Sequence, residues 1–144
     1  MPLADNVQAL AEITEPDSAP PAKGLRVLCI DNEDSILVGM DSLLSRWGMQ
    51  VWTARNQLEC EHLLDEGVSP QLVLVDYHLD EGETGTGLMS WLRQRLGDQL
   101  SGVVISADAR PELIAQVQAA GLDYLAKPVK PAALRALLNR YPAD

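Results

Sequence analysis

Residues 72–79 read LVLVDYHL, four apolar positions in succession followed directly by an acidic one. A run that is apolar at every position is typical of a central strand in a parallel sheet, because such a strand is covered on both faces. Val27–Ile30 and Val103–Ile105 have the same character. The stretch therefore predicts a buried strand that leads straight into Asp76.

Outward from this stretch, short apolar runs alternate with longer segments of helical period. The predicted strands are Arg26–Ile30, Gln50–Ala54, Leu72–Val75, Gly102–Ser106 and Asp123–Ala126. Apolar residues recur at three- and four-residue steps in the first predicted helix, at Ile36, Met40, Leu43, Leu44 and Trp47. Similar spacing predicts helices within 88–96, 113–120 and 134–141, and a less amphipathic one within 57–66. The alternation predicts an α/β fold with a mostly parallel sheet covered by helices.

The first 23 residues differ in composition from the rest. Residues 14–23 read TEPDSAPPAK, with three prolines and little to bury, which is typical of a linker. We therefore expect residues 1–23 to be a flexible tail or interdomain linker and residues 24–144 to be one domain. A length of 144 residues suits a single core.

Composition excludes several classes of protein. The net charge of −10 and the pI of about 4.5 disfavour direct binding to nucleic acid. No apolar run approaches the roughly 18 residues of a membrane span, and the amino terminus lacks the pattern of a secretory signal. Cys29 and Cys60 match no metal-binding spacing and are expected to be reduced packing thiols. We expect a cytoplasmic chain without membrane contact.

Polar residues follow four of the five predicted strands. Asp31, Asn32 and Glu33 follow the first, Asp76 the third, Ser106 the fourth and Lys127 the fifth. Parallel strands present their carboxyl ends to one rim, where such folds bind ligands. Carboxylates can hold Mg²⁺, which offsets the repulsion between an anionic phosphoryl group and an anionic nucleophile. A hydroxyl and an ammonium can bind the phosphoryl oxygens. The set suits phosphoryl transfer to a carboxylate.

Four motifs carry a family resemblance. IDNED at 30–34, LVLVDYHL at 72–79, VVISA at 103–107 and DYLAKP at 123–128 resemble the response-regulator receiver domain of two-component signalling, over about residues 25–141. The resemblance implies a doubly wound, flavodoxin-like five-stranded parallel sheet with strand order 2-1-3-4-5. It implies a phosphorelay role without a separate enzymatic activity, in which a histidine kinase or histidine phosphotransfer domain supplies the phosphoryl group.

The resemblance also assigns roles to individual residues. Asp76 would be the phosphoacceptor, Lys127 would bind a phosphoryl oxygen, and Ser106 would donate its hydroxyl to the same group. Tyr124 would be the aromatic residue whose rotamer follows the state of Ser106. The Lys127–Pro128 bond would be cis, which costs an X–Pro bond little. The ligands of Mg²⁺ would be Asp31, Asn32, Asp76 and the backbone carbonyl of His78.

Two departures from the family pattern bear on the site. Asn32 stands at the second position of the acidic pair, so it keeps an oxygen ligand but lacks a charge, and weaker Mg²⁺ binding is expected. Glu33 could partly compensate, although a carboxylate at a helix start also suits the helix dipole. The loop after Asp76 lacks the proline often found there. His78 and Asp108 occupy positions that in this family modulate the lifetime of the acyl phosphate.

The proline-rich segment also resembles the linker of hybrid sensor kinases. It favours a carboxy-terminal receiver of a hybrid histidine kinase, and such a receiver could form a homodimer. The face built from residues 110–130 would be the output surface, and the first helix would dock the phosphodonor.

Three other functions compete with a phosphorylated receiver. A pseudo-receiver would be a protein-interaction module in which Asn32 has disabled the metal site. A flavodoxin-like cofactor binder would need a glycine- or hydroxyl-rich phosphate loop, whereas residues 31–33 are acidic. A phosphatase of the haloacid-dehalogenase type would want a second aspartate at position 78, where this chain has His78.

Overall fold

The computed structural model describes residues 24–141, so the predicted tail or linker at residues 1–23 lies entirely outside the described residues, as do residues 142–144. Strands and helices alternate through the described range. In chain order they are β1 (Arg26–Ile30), α1 (Asp34–Arg46), β2 (Gln50–Ala54), α2 (Gln57–Asp65), β3 (Leu72–Asp76), a 3₁₀ turn (Asp80–Gly82), α3 (Gly85–Leu96), β4 (Ser101–Ser106), α4 (Pro111–Ala119), β5 (Asp123–Ala126) and α5 (Pro131–Leu138).

The five strands form one parallel sheet in the order β2-β1-β3-β4-β5, which confirms the predicted fold class and strand order. β3 is buried at every position, as its unbroken apolar run predicts. β2 lies at one edge and is only partly buried, in keeping with its mixed composition. The order reverses between β1 and β3, so the carboxyl ends of these two strands flank the crevice of a doubly wound sheet.

Helices cover both faces of the sheet. Because side chains alternate along a strand, Leu28 and Ile30 of β1 face one core while Val27 and Cys29 face the other. The first core is closed by α2, α3 and α4, and the second by α1 and α5. Cys29 and Cys60 are both buried and unpaired, and burial raises the pKa of each thiol to about 12. They pack as neutral thiols, as predicted.

The predicted apolar stripe of α1 was partly wrong. The buried stripe consists of Leu37, Met40 and Leu44, continued by Trp47, whereas Ile36 is 37% exposed. Residues 36–38 are all apolar, so the spacing alone does not fix which of them faces the sheet. Two other predicted stripe members lie just beyond their helices: Ala120 follows α4 and is exposed, and Tyr141 follows α5 and is half-buried. Within the described range, no helix has the length and apolar character needed to cross a bilayer.

Candidate functional site

The predicted site residues lie together at the carboxyl-end rim of the sheet. Asp31 follows β1, Asp76 ends β3 and Ser106 ends β4, and these three are the buried polar side chains of the described range. Their exposed fractions are 5%, 6% and 1%. Lys127 follows β5 and retains 24% of its side-chain exposure. A polar cluster this deeply buried lowers stability unless its charges are paired. The ion pairs among these residues therefore determine the geometry of the site.

Lys127 joins the two buried carboxylates. Its Nζ lies 2.9 Å from Asp76 Oδ1 and 3.5 Å from Asp31 Oδ2. The backbone fixes this position, because the Lys127 amide donates to the carbonyl of Ser106 at 2.9 Å and the Lys127–Pro128 bond is cis, as predicted. Burial alone would lower the pKa of Lys127, but the hydrogen bond to Asp76 and the two nearby negative charges raise it overall. The ammonium stays charged.

For Asp76, in contrast to Lys127, the effect of burial on the pKa exceeds the effect of the ion-pair partner. Burial is the main cause that raises its pKa, and the charge of Asp31 adds to it, while the hydrogen bond and charge of Lys127 only partly offset the rise. Two carboxylates therefore share one ammonium in a partly dehydrated rim. The arrangement leaves room for further positive charge, which a divalent cation would supply.

The loop after β1 orients Asp31. Asp31 Oδ1 accepts a hydrogen bond from the backbone amide of Glu33 at 2.9 Å, while Oδ2 faces Lys127. Glu33 itself is exposed and immediately precedes α1, at the helix start where its carboxylate was expected, and its side chain makes no capping hydrogen bond there. Asn32 is also exposed, and its Nδ2 donates to Asp80 Oδ1 at 2.8 Å. This contact joins the loop after β1 to the loop after β3.

The loop after β3 folds back on itself. His78 forms an isolated antiparallel bridge with Thr84, and the flanking hydrogen bonds run from Leu79 N to Glu83 O and from Gly85 N to Tyr77 O. In such a pair the bridged residue's own carbonyl points away from its partner strand, so the His78 carbonyl faces away from Thr84. The His78 side chain is exposed and packs edge-on against the Tyr77 ring.

A glycine is required where α3 begins. A Cβ on Gly85 would lie 2.6 Å from the backbone oxygen of Asp76, closer than a carbon atom can approach. The first turn of α3 therefore packs directly on the backbone of the buried aspartate.

Ser106, Asp108 and Tyr124 form a linked group beside the rim. Ser106 Oγ accepts from the Asp108 amide at 3.0 Å, which leaves the hydroxyl proton of Ser106 able to donate elsewhere. The Tyr124 hydroxyl contacts the carbonyls of Asp108 at 2.8 Å and Ser106 at 3.1 Å. The side chain of Asp108 instead binds Arg110, whose hydrogen bonds hold the pKa of Asp108 below its usual range. Tyr124 therefore contacts the backbone of the loop after β4 directly.

An apolar groove of about 430 Å³ opens beside the rim between α1 and the start of α5. Asp31 and Lys127 belong to its wall, so the groove and the charged cluster are continuous. Ile36 and Leu43 line the α1 side, and Val129 lines the opposite side. The exposure of Ile36 is therefore part of a surface feature next to the site.

The described residues offer Mg²⁺ only a small number of charged ligands. No group of three or more His, Cys, Asp or Glu side chains within residues 24–141 is arranged to hold a metal. The predicted ligand set is compatible with that finding, because it contains only two carboxylates, Asp31 and Asp76, beside an amide and a backbone carbonyl. Mg²⁺ commonly binds through one or two carboxylates and keeps several waters.

Comparison with known proteins decides the family. The model of the response regulator receiver domain matches residues 27–139. The chain belongs to the response regulator receiver family. Domains of this family act in phosphotransfer signalling, interact with histidine kinases or phosphotransfer proteins, and generally bind Mg²⁺ at their phosphorylation site. A search of curated proteins found no match.

Solved structures agree with the receiver fold. A response regulator receiver protein from Pseudomonas putida is 26% identical, with a TM-score of 0.72 over 83% of this chain and 98% of that one. The chemotaxis response regulator CheY4 of Vibrio cholerae is 22% identical, with a TM-score of 0.71 over 82% and 98% of the two chains. The BeF3-activated DrrB receiver domain is 20% identical, with a TM-score of 0.68 over 81% and 96%.

Sequence reasoning missed two contacts of the site region. Asn32 and Asp80 are 48 residues apart, and neither residue type indicates which side chain it will contact. The contact of Arg110 with Asp108 lies within three residues, and an acidic residue two positions before a basic one in a loop was a signal that could have found it.

Proposed function

We propose that this receiver accepts a phosphoryl group from a phosphohistidine onto Asp76 in a Mg²⁺-dependent reaction. The observation that carries the proposal is the double contact of Lys127 with the buried carboxylates of Asp31 and Asp76. A structural ion pair needs one acid for one base. Two acids around one base, at the strand ends where such sheets bind ligands, suit a site that receives additional charge.

The residues of the chain have separate tasks in this reaction. A carboxylate oxygen of Asp76 forms the new P–O bond while the P–N bond to the donor's imidazole breaks, and the imidazole leaves with that electron pair and takes up a proton. Lys127 Nζ moves its hydrogen bond from Asp76 to an oxygen of the transferred group. The hydroxyl of Ser106, which accepts from the Asp108 amide before transfer, turns to donate to another oxygen.

Asp31, Asp76, Asn32 and the His78 carbonyl are the groups that would hold Mg²⁺. When bound, the ion supplies positive charge that offsets the repulsion between the carboxylate and the phosphoryl oxygens. Asp31 is prepared for this role because the Glu33 amide fixes one of its oxygens. The side chains of His78 and Asp108 are exposed and half-buried at the rim, and they remain proposed modulators of phosphoryl lifetime.

The change of state would pass through Ser106 to Tyr124. If the Ser106 hydroxyl turns toward the phosphoryl group, it gives up its bond to the Asp108 amide, and the loop after β4 can move. Tyr124 holds the same loop by two carbonyl contacts and would change rotamer with it. The surface built from residues 110–130 would then carry the output.

Phosphoramidate tests the proposal because its P–N bond resembles that of phosphohistidine. With Mg²⁺ we expect a mass increase of one phosphoryl group, mapped to Asp76 and absent in Asp76→Asn. Beryllofluoride, which the DrrB receiver binds in its activated form, should likewise bind in a Mg²⁺-dependent way. Labelling that persists in Asp76→Asn, or no labelling in saturating Mg²⁺, would refute the proposal.

The groove between α1 and α5 is the proposed docking surface for the donor. It is apolar and includes Asp31 and Lys127 in its wall, so a partner lying in it brings its histidine to the rim. Ile36→Glu should slow transfer from a phosphorylated histidine kinase and leave labelling by phosphoramidate unchanged. Val38→Glu is the matched control, because Val38 is 68% exposed on the same helix and does not line the groove. Equal transfer rates in the two variants would exclude the groove.

The second candidate function is a pseudo-receiver that binds partners without being phosphorylated. The observation favouring it is Asn32, which removes one charge from the metal site, together with the lack of a third acidic ligand in the described range. The same phosphoramidate experiment separates the two functions. A parent hybrid histidine kinase is compatible with either.

A further inference from the structure

Asn32 poses a chemical problem for the proposed metal site. A carboxylate offers an oxygen whichever way it turns, but a carboxamide offers an oxygen on one side and an NH₂ group on the other. Only the oxygen can bind Mg²⁺. An asparagine at this position therefore supports metal binding only if something holds its amide in one orientation.

Asp80 provides that restraint. Its Oδ1 lies 2.8 Å from Asn32 Nδ2. At neutral pH a carboxylate only accepts hydrogen bonds, so the flipped amide would bring two acceptor oxygens together at the same distance. The contact thus fixes the amide on chemical grounds, with its NH₂ group toward Asp80 and its oxygen directed away from Asp80.

Asp80 is itself well placed to act as a fixed acceptor. It opens the 3₁₀ turn, and the amide of Glu83 donates back to its carbonyl at 3.1 Å. The bridge between His78 and Thr84 closes the loop around this turn. Gly85 then anchors the loop end against the backbone of Asp76. The position of Asp80 relative to the phosphoacceptor is therefore set by backbone contacts.

We propose that Asp80 is a positioning residue of the magnesium site, which orients the Asn32 amide oxygen toward the metal and returns to the site the negative charge that Asn32 lacks. The inference rests on the proposed Mg²⁺-dependent function of the same rim. It connects two features that the sequence presents separately, the amide at position 32 and the acidic loop that follows Asp76.

A double-mutant cycle in Mg²⁺ affinity tests the inference. Titration of the full-length chain with MgCl₂, followed by ¹H–¹⁵N NMR, measures this affinity without phosphorylation. Asp80→Ala should weaken Mg²⁺ binding by about tenfold, in the range typical of residues that orient metal ligands. In an Asn32→Asp background, Asp80→Ala should weaken binding by only about threefold, the effect of one lost charge, because a carboxylate at position 32 needs no orientation.

Two further variants separate orientation from charge. Asp80→Asn is nearly the same size, but its amide can either accept or donate, so it no longer fixes Asn32 in one orientation and should weaken binding nearly as much as Asp80→Ala. Glu81→Gln is the matched control for charge alone, since it removes the neighbouring carboxylate of the same turn, and it should change the affinity less than Asp80→Asn. The Asn32 side-chain NH₂ resonances should shift in Asp80→Ala and keep their position in Glu81→Gln.

The outcomes distinguish the inference from the function beneath it. If Mg²⁺ binds the wild-type chain but Asp80→Ala changes nothing, or weakens binding equally in both backgrounds, the positioning role is wrong and the proposed function stands. If Mg²⁺ does not bind the wild-type chain, or binds equally after Asp31→Asn, the proposed function fails and the inference with it. Thermal unfolding in EDTA identifies any variant that does not fold, and Asp80→Asn then carries the test alone.

Discussion

Asp76 and Asp123 lie at opposite ends of the parallel sheet, and both are paired with basic side chains. Asp76 ends β3 and is nearly buried, with Asp31 beside it and Lys127 between them. Asp123 begins β5, where Arg140 Nη2 approaches its Oδ2 at 2.7 Å and the Tyr141 hydroxyl donates to the same carboxylate. One region has two acids for one base, and the other has two donors for one acid.

The pKa values of the two aspartates record this difference. Burial and the charge of Asp31 raise the pKa of Asp76 despite Lys127. Burial would also raise the pKa of Asp123, but the hydrogen bonds from Tyr141 and Arg140 outweigh it and lower the pKa. Tyr141 is correspondingly a weaker acid, with burial and the bond to Asp123 raising its pKa to about 12. The amino-end cluster (Asp123, Arg140 and Tyr141) stabilises the fold. The carboxyl-end cluster (Asp31, Asp76 and Lys127) instead holds negative charge that the fold alone does not favour.

The largest expected effect comes from removing the base of the carboxyl-end cluster. Lys127→Met leaves Asp31 and Asp76 facing each other without a counter-charge. We expect a loss of roughly 2–4 kcal/mol in the free energy of unfolding at neutral pH, slightly below the range for fully buried pairs because Lys127 is partly exposed. Urea unfolding in Mg²⁺-free buffer measures it.

Lys130→Met is the matched control for that variant. Lys130 is exposed, lies three residues further along the same loop and is expected to change stability by less than about 0.5 kcal/mol. Added Mg²⁺ should restore part of the stability of Lys127→Met, since it neutralises the same carboxylates. A loss in Lys127→Met no larger than in Lys130→Met would mean that the two aspartates do not depend on the ammonium.

The positions of these charges were predictable from the sequence to a large extent. Consecutive apolar positions in β1, β3 and β4 identified buried parallel strands, and the first polar residue after each such strand had to lie at one rim. Asp31, Asp76 and Ser106 follow from that rule, and Lys127 follows from the strand–helix alternation that predicted Asp123–Ala126 as a further strand of the same sheet. The cis bond before Pro128 came from the family resemblance.

Contacts between side chains on separate loops were not predictable in the same way. The pairing of Asn32 with Asp80 depends on the 3₁₀ turn and its bridge, and the pairing of Asp123 with Tyr141 depends on where α5 ends. The rotation of α1 was also undetermined, because residues 36–38 offer three adjacent apolar side chains. Ile36 turned toward the groove beside the site, while Leu37 joined the core.

The comparison is sharpened most directly by making the same substitution at both aspartates. Asp76→Asn should raise the free energy of unfolding by about 1 kcal/mol at neutral pH without Mg²⁺, because it removes a disfavoured charge but keeps an oxygen for Lys127. Asp123→Asn should lower it by about 0.5 kcal/mol, as expected for a half-exposed ion pair. The two effects have opposite signs although the chemical change is identical.

Their pH dependence provides the control. The pKa of Asp76 is raised on folding, so the advantage of Asp76→Asn is absent below the ordinary carboxyl range and grows as pH rises through the raised value. The pKa of Asp123 is lowered, so the stability that its charge contributes is full above the ordinary range and is lost as pH falls through the lowered value. In acid, both the stability gained by Asp76→Asn and the stability lost by Asp123→Asn should therefore become smaller. Asp65→Asn, whose partner Arg95 is 3.7 Å away on the exposed surface, should change the free energy of unfolding at neutral pH by less than either variant. If Asp76→Asn destabilised the chain at neutral pH, the ammonium of Lys127 would be sufficient for both carboxylates, and the carboxyl-end rim would be an ordinary structural ion pair like that of Asp123.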